Sequence, residues 1–290
     1  MTARQRSRRG VTIVELLVAL LILAVIGGAV LKLIVRQASS MESQEAWRGA
    51  RAVSRSSVNL LLADASMVEA NGGLDAATTS GKDFTLRVPY AFGLVCTATA
   101  AGSTLSLLPV DSAMFSSAAP SGLAYRNMAT GAYTYVTSGV SITANPGTTT
   151  NCTNAPASIS TVPATGPYPG GKIVDVNGVP NGTAAGTIVF LYRTVRYEFK
   201  TSGALAGRIG LWRTVGGTSS EIAAPFDTSA RAAFYVLNNS TPQLALPSPL
   251  SDARGLELRL NGASERTPRG SSAPKQSNLT TSVFFNNRPD

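Results

Sequence analysis

Arg8-Arg9-Gly10-Val11-Thr12-Ile13-Val14-Glu15-Leu16-Leu17 begins the stretch whose reading decides the fold. From Val11 to Leu31 the chain runs for 21 positions with a single charge, Glu15. At the rise of an α-helix this length crosses a hydrocarbon core of about 30 Å. Arg4, Arg6, Arg8 and Arg9 stand before it, and Lys32 and Arg36 follow it. The stronger basic cluster in front holds the N-terminus in the cytoplasm and sends the C-terminal bulk across the membrane. A secretory signal peptide should have a shorter apolar run closed by a small-x-small cleavage site. Here the run is long and flows into further helical sequence. An ordinary signal anchor fits the length but leaves Glu15 unexplained. A lone carboxylate inside a bilayer costs roughly 2.5–3.5 kcal/mol on insertion scales, and no partner is read three or four residues away on the helix.

The bulk composition agrees with an anchored β-rich protein. The chain has 290 residues, 14% of them charged and 44% hydrophobic, which excludes a disordered polymer. Gly, Pro, Ser, Thr and Asn crowd the region beyond residue 70, as in strands joined by turns and long loops. The formal charge is +9, but four of the cations belong to the N-terminal cluster. Without them 21 basic side chains face 16 acidic ones, an excess of 5, with no Lys/Arg run of the kind that grips nucleic acid. No histidine occurs, which removes Ser-His-Asp and Cys-His nucleophiles and every His-containing metal site. Two cysteines cannot by themselves hold a four-ligand zinc. The chain reads as a non-enzyme without a cofactor.

The string Arg8 to Leu17 resembles the type III signal of type IV prepilins. Gly precedes the cut, Thr is second and Glu is fifth in the mature numbering that starts at Val11, and an apolar run follows. The resemblance implies cleavage between Gly10 and Val11 by a prepilin peptidase and N-methylation of Val11. Glu15 would then meet the N-terminal amine of a neighbouring subunit, a buried pair favoured over a buried carboxylate alone. Val11 departs from the family's more frequent Phe or Met at that position. The resemblance covers about 30 residues.

The helix is expected to continue past the membrane. Ala50, Ser54, Val58, Leu61, Ala65 and Val68 recur at spacings of three and four, one amphipathic face. Arg48, Arg51, Arg55, Asn59 and Asp64 are assigned to the wet side. The helix should run from about 11 to about 68 and stop before Asn71-Gly72-Gly73. Gly27-Gly28 lies in the apolar half, either as a place for bending or as a surface for close helix approach. Strands are predicted at 83–90, 94–99, 104–109, 132–137, 140–144, 187–194, 195–200, 208–214, 232–237, 256–260 and 280–285. The alternation in Val195–Lys200 and Leu256–Leu260 is the cleanest. A long surface loop is assigned to about 145–185.

The organisation is therefore a cleaved basic leader at 1–10, a pilin helix at 11–68 with 11–31 in the membrane or filament core, and a β-rich head at 69–290. The fold class is α+β, type IV pilin-like: a long N-terminal α-helix packed on an antiparallel β-rich head. The layout is similar to PilW/GspJ-type minor pilins and pseudopilins. That implies a subunit of a type IV pilus or type II secretion-like filament that primes or caps assembly. Its partners would be the prepilin peptidase, other major and minor pilins, an inner-membrane assembly platform and membrane lipid. It would begin in the bacterial inner membrane and end in a periplasmic or surface filament. A tip adhesin or DNA-binding pilin, and a membrane-anchored receptor or enzyme, are the rival readings; nucleic acid is permitted by the positive head and supported by no motif.

Cys96 and Cys152 would lie outside the cytoplasm, either as a disulfide pinning the loop to the head or as two thiols. Gly166 to Ile173 falls short of a P-loop, because Ile173 replaces the Ser or Thr that holds magnesium and two prolines remove backbone donors. Asp175, Glu221, Asp227 and Asp252 read as solvated loop carboxylates. Phe190, Tyr192, Tyr197, Phe199 and Trp212 read as core.

Overall fold

The computed structural model describes residues 12–127, 131, 133–137, 140–144, 170–237 and 239–286. Helix α1 spans Ile13–Ser66 without interruption, 54 residues, or about 80 Å of rise. Thr12 caps its first turn. Beyond Met67 the chain turns back at Asn71 and Gly72, whose φ angles of 63° and 115° lie in the left-handed region. The helix ends at Ser66, two residues short of the expected 68, and the chain turns at the expected Asn71-Gly72 signal.

The chain then enters an antiparallel sheet. β1 (Leu74–Ala77) pairs with β2 (Asp83–Thr99), a 17-residue strand that continues into β3 (Gly102–Leu107). A short helix, α2 (Pro109–Ser117), precedes β4 (Gly122–Arg126), β5 (Tyr133–Val136) and β6 (Ile142–Ala144). After the undescribed segment come β7 (Lys172–Val176) and β8 (Ile188–Thr201). The remaining strands are β9 (Ile209–Val215), β10 (Thr218–Phe226), β11 (Arg231–Val236), β12 (Asn239–Gln243), β13 (Ala253–Ala263) and β14 (Gln276–Phe284). The main path runs β12-β11-β13-β10-β9-β8-β2-β3-β7-β6, with β14 on the far side of β13.

Two of the predicted breaks are absent. Residues 83–90 and 94–99 form one strand, and so do 187–194 and 195–200. Pro89 sits where the β2–β8 register shifts between Pro89 and Ala91, so its missing donor is absorbed by an irregularity. The loop assigned to 145–185 contains β7, a short Lys-Ile-Val-Asp-Val run held between β3 and β6. β1, β4, β10, β12 and α2 were not anticipated. Gly216-Gly217, with φ of 57° and 81°, makes the tight β9–β10 turn.

Among the described residues most of the buried apolar side chains fall into two large cores, with Cys96 and Ile173 as a separate pair. Beneath α1, Leu61, Ala65 and Val68 meet Phe84, Leu86, Tyr197, Phe234, Leu256, Leu258 and Leu260. A second core farther along β2 and β8 joins Val95, Leu105, Leu107, Leu123, Val174 and Leu191. The helix approaches β13 most closely at Gly262, where a Cβ would stand 2.2 Å from the Ala50 carbonyl oxygen. Ser54 Oγ there donates to the Leu260 carbonyl at 2.9 Å and accepts from Gly262 N–H at 3.0 Å.

Candidate assembly site on the stem helix

One helix carries two environments. From Ala50 to Ala65 it buries Ala50, Ser54, Ser57, Leu61, Asp64 and Ala65 against the sheet. From Ile13 to Val35 all its side chains are exposed, Ile13 at 81% and Leu21 at 67% among them. The stretch is long and apolar enough to cross a bilayer and has no cover from the head. Such a surface needs a lipid or protein environment.

At its N-terminal end Thr12 and Glu15 form a capping box. The Thr12 N–H donates to Glu15 Oε2 at 3.0 Å, and the Thr12 hydroxyl accepts from the Glu15 N–H at 3.3 Å. The absence of any partner within one turn is therefore corrected: a hydroxyl and a backbone amide three residues back hold the carboxylate. No ion pair to Glu15 occurs among the described residues. The carboxylate is thus turned back onto Thr12, whose N–H and hydroxyl both donate to it. Gly10 and Val11 lie outside the described residues. Gly27 and Gly28 stay within the continuous helix, with nothing within 4 Å of either added Cβ.

The junction of stem and head rests on a residue placed on the wrong face by spacing. Asp64, expected in water, is buried, and its carboxylate accepts from Tyr197 Oη at 2.5 Å and Arg213 Nε at 2.9 Å. It sits at the margin of the apolar stripe, and its partners are 133 and 149 residues away. Burial, then the Asp64 charge beside it, pushes the Tyr197 hydroxyl well above the usual phenol range.

Two other carboxylates also leave the solvated class. Glu221 lies in β10, and its Oε2 accepts from the Gly203 and Ala204 N–H groups at 3.0 and 3.2 Å, fastening the β8–β9 turn. Asp227 accepts from the Ser229 hydroxyl at 2.6 Å and from Gln276 Nε2 at 2.8 Å. The first of these bonds holds its carboxyl below the usual range. Tyr192, Tyr197 and Phe199 are buried as read, while Phe190 and Trp212 are half-buried. Cys96 is buried in β2 beside Ile173; Cys152 lies outside the described residues. Among the described residues no group of three or more Cys, Asp or Glu side chains could hold a metal.

A long exposed apolar helix leading into an antiparallel head defines a helix-anchored, pilin-like α+β protein. Residues 5–31 match the family model described as the prokaryotic N-terminal methylation motif, and with the long apolar helix this fits a type IV prepilin-like protein. No curated protein and no solved structure matches the chain.

Proposed function

We propose that the chain is a minor pilin or pseudopilin, cut by a prepilin peptidase between Gly10 and Val11, methylated on Val11, and built into a type IV pilus or type II secretion-like filament. It primes or caps assembly in contact with other pilins and an inner-membrane platform, and has no catalytic role. The observation that carries this is the naked apolar half of α1 ending in the Thr12–Glu15 cap, attached to a head whose cores close without it. In the bilayer lipid covers this half. In the filament other stems cover it, and the Glu15 carboxylate exchanges part of its cap for a neighbour's amine. Gly27-Gly28 gives the stem a place to bend or pack closely.

Complementation of a deletion strain tests the reading: wild type should restore filaments or secretion, and Glu15→Leu should leave the protein in the membrane with filament number cut at least about tenfold. Normal filaments in the deletion strain would refute priming.

Cys96 and Cys152 are proposed to pair. Cys96 touches Ile173 at the start of β7, the strand that takes up the chain after the segment holding Cys152. Closing so long a loop contributes about 2–4 kcal/mol. Cys152→Ser should then slow the oxidised band on a non-reducing gel; unchanged mobility and protease resistance would remove the bond.

A further inference from the structure

Between the apolar half and the buried stripe, α1 carries opposite charges on its two flanks. Glu42, Glu45 and Gly49 lie on one flank and bound a groove of about 330 Å³, whose other bank holds Pro225, Glu265 and Arg266. Arg51 and Arg55 lie on the other flank and bound a groove of about 370 Å³ against Gln276–Leu279 of β14. Arg48 and Lys275 extend that basic side. At 100° per residue the two flanks stand about 120° apart, one on each side of the helix pole that faces away from the sheet.

Glu45, Arg48, Arg51 and Arg55 are exposed and Glu42 is half-buried. None of the five joins an ion pair among the described residues. Arg51 is held over the Trp47 ring at 4.1 Å, which directs it along its flank.

The spacing repeats. Glu42 precedes Arg48, Glu45 precedes Arg51 and Gly49 precedes Arg55 by the same six residues. A parallel neighbour shifted along the axis by about 9 Å therefore matches all three levels at once. Glutamates face arginines at two levels, and at the third Arg55 meets Gly49, which has open space around it.

We propose that the acidic flank of one copy of this chain docks on the basic flank of a second, parallel copy, offset by six residues. Opposite flanks of the same chain make a heterologous, head-to-tail contact that does not close on itself. This rests on the filament reading and names one of its lateral contacts.

The test uses full chains with donor or acceptor fluorescent proteins fused at the C-terminus, reconstituted in phosphatidylcholine vesicles. Wild-type energy transfer should be salt-sensitive. E42K/E45K alone and R48E/R51E alone should each weaken association by roughly tenfold, and an equimolar mixture of the two should restore it, since each supplies the flank the other lacks. The contact is refuted if the wild type gives no transfer, if either variant associates like the wild type, or if mixing restores nothing. Transfer arising only on addition of duplex DNA would assign the arginines to nucleic acid and refute it as well. Leader processing is not needed in vesicles, so a chain that is never cut after Gly10 would sink the filament reading without deciding this contact.

Discussion

Leu21 and Leu61 sit on the same helix forty residues apart, one 67% exposed and the other fully buried. The backbone around them is the same, so the difference lies in the pattern. Near Leu21 apolar residues circle the helix, and no single face can be covered by one sheet. Near Leu61 they form a stripe, and β10, β13 and β14 cover it. The half around Leu61 is covered by its own chain, and the half around Leu21 has no cover from the head.

The sharpest break of this comparison is the same substitution in both halves. Leu61→Ala should cost the head about 2–5 kcal/mol in denaturant unfolding, while Leu21→Ala should change it by less than about 0.5 kcal/mol. Comparable losses would mean that the two halves share one stabilising environment. Asp64→Ala should cost about 2–3 kcal/mol in the same assay, because Tyr197 and Arg213 lose their acceptor inside the protein. Asp64→Asn should cost less.

Backbone contact divides the halves in the same way. Gly262→Ala puts a methyl against the Ala50 carbonyl and should cost roughly 1–3 kcal/mol. Gly28→Ala meets nothing and should leave the head unchanged while stiffening the stem.

The smallest effect is alkaline. The folded chain keeps the Tyr197 proton to higher pH than the unfolded chain, whose phenols ionise near about 10. Above that pH the unfolded state binds fewer protons than the folded one, so stability falls as pH rises. Tyr197→Phe should flatten the slope without abolishing it, since burial also raises Tyr135.

Glu15, the apolar run, the stop at Asn71-Gly72 and the alternating strands were legible because each is a local rule. Asp64 was not, because its position on the wheel is marginal and only Tyr197 and Arg213, distant in sequence, make burial tolerable. β7 was hidden in a Gly- and Pro-rich stretch, since five residues gain strand character only from β3 and β6 beside them. β10 has no clean alternation to announce it, and its partner β9 supplies the ladder. The charged flanks of α1 were visible as residues but not as grooves, whose far banks come from β14 and the segment around Glu265.

The most direct test of the account is the intact mass and N-terminal sequence of the chain after co-expression with a prepilin peptidase. A chain that starts at Val11 with a methylated amine is the expected result. A chain that keeps Met1, or is cut elsewhere, would contradict it and leave Glu15 as the cap of an ordinary membrane anchor.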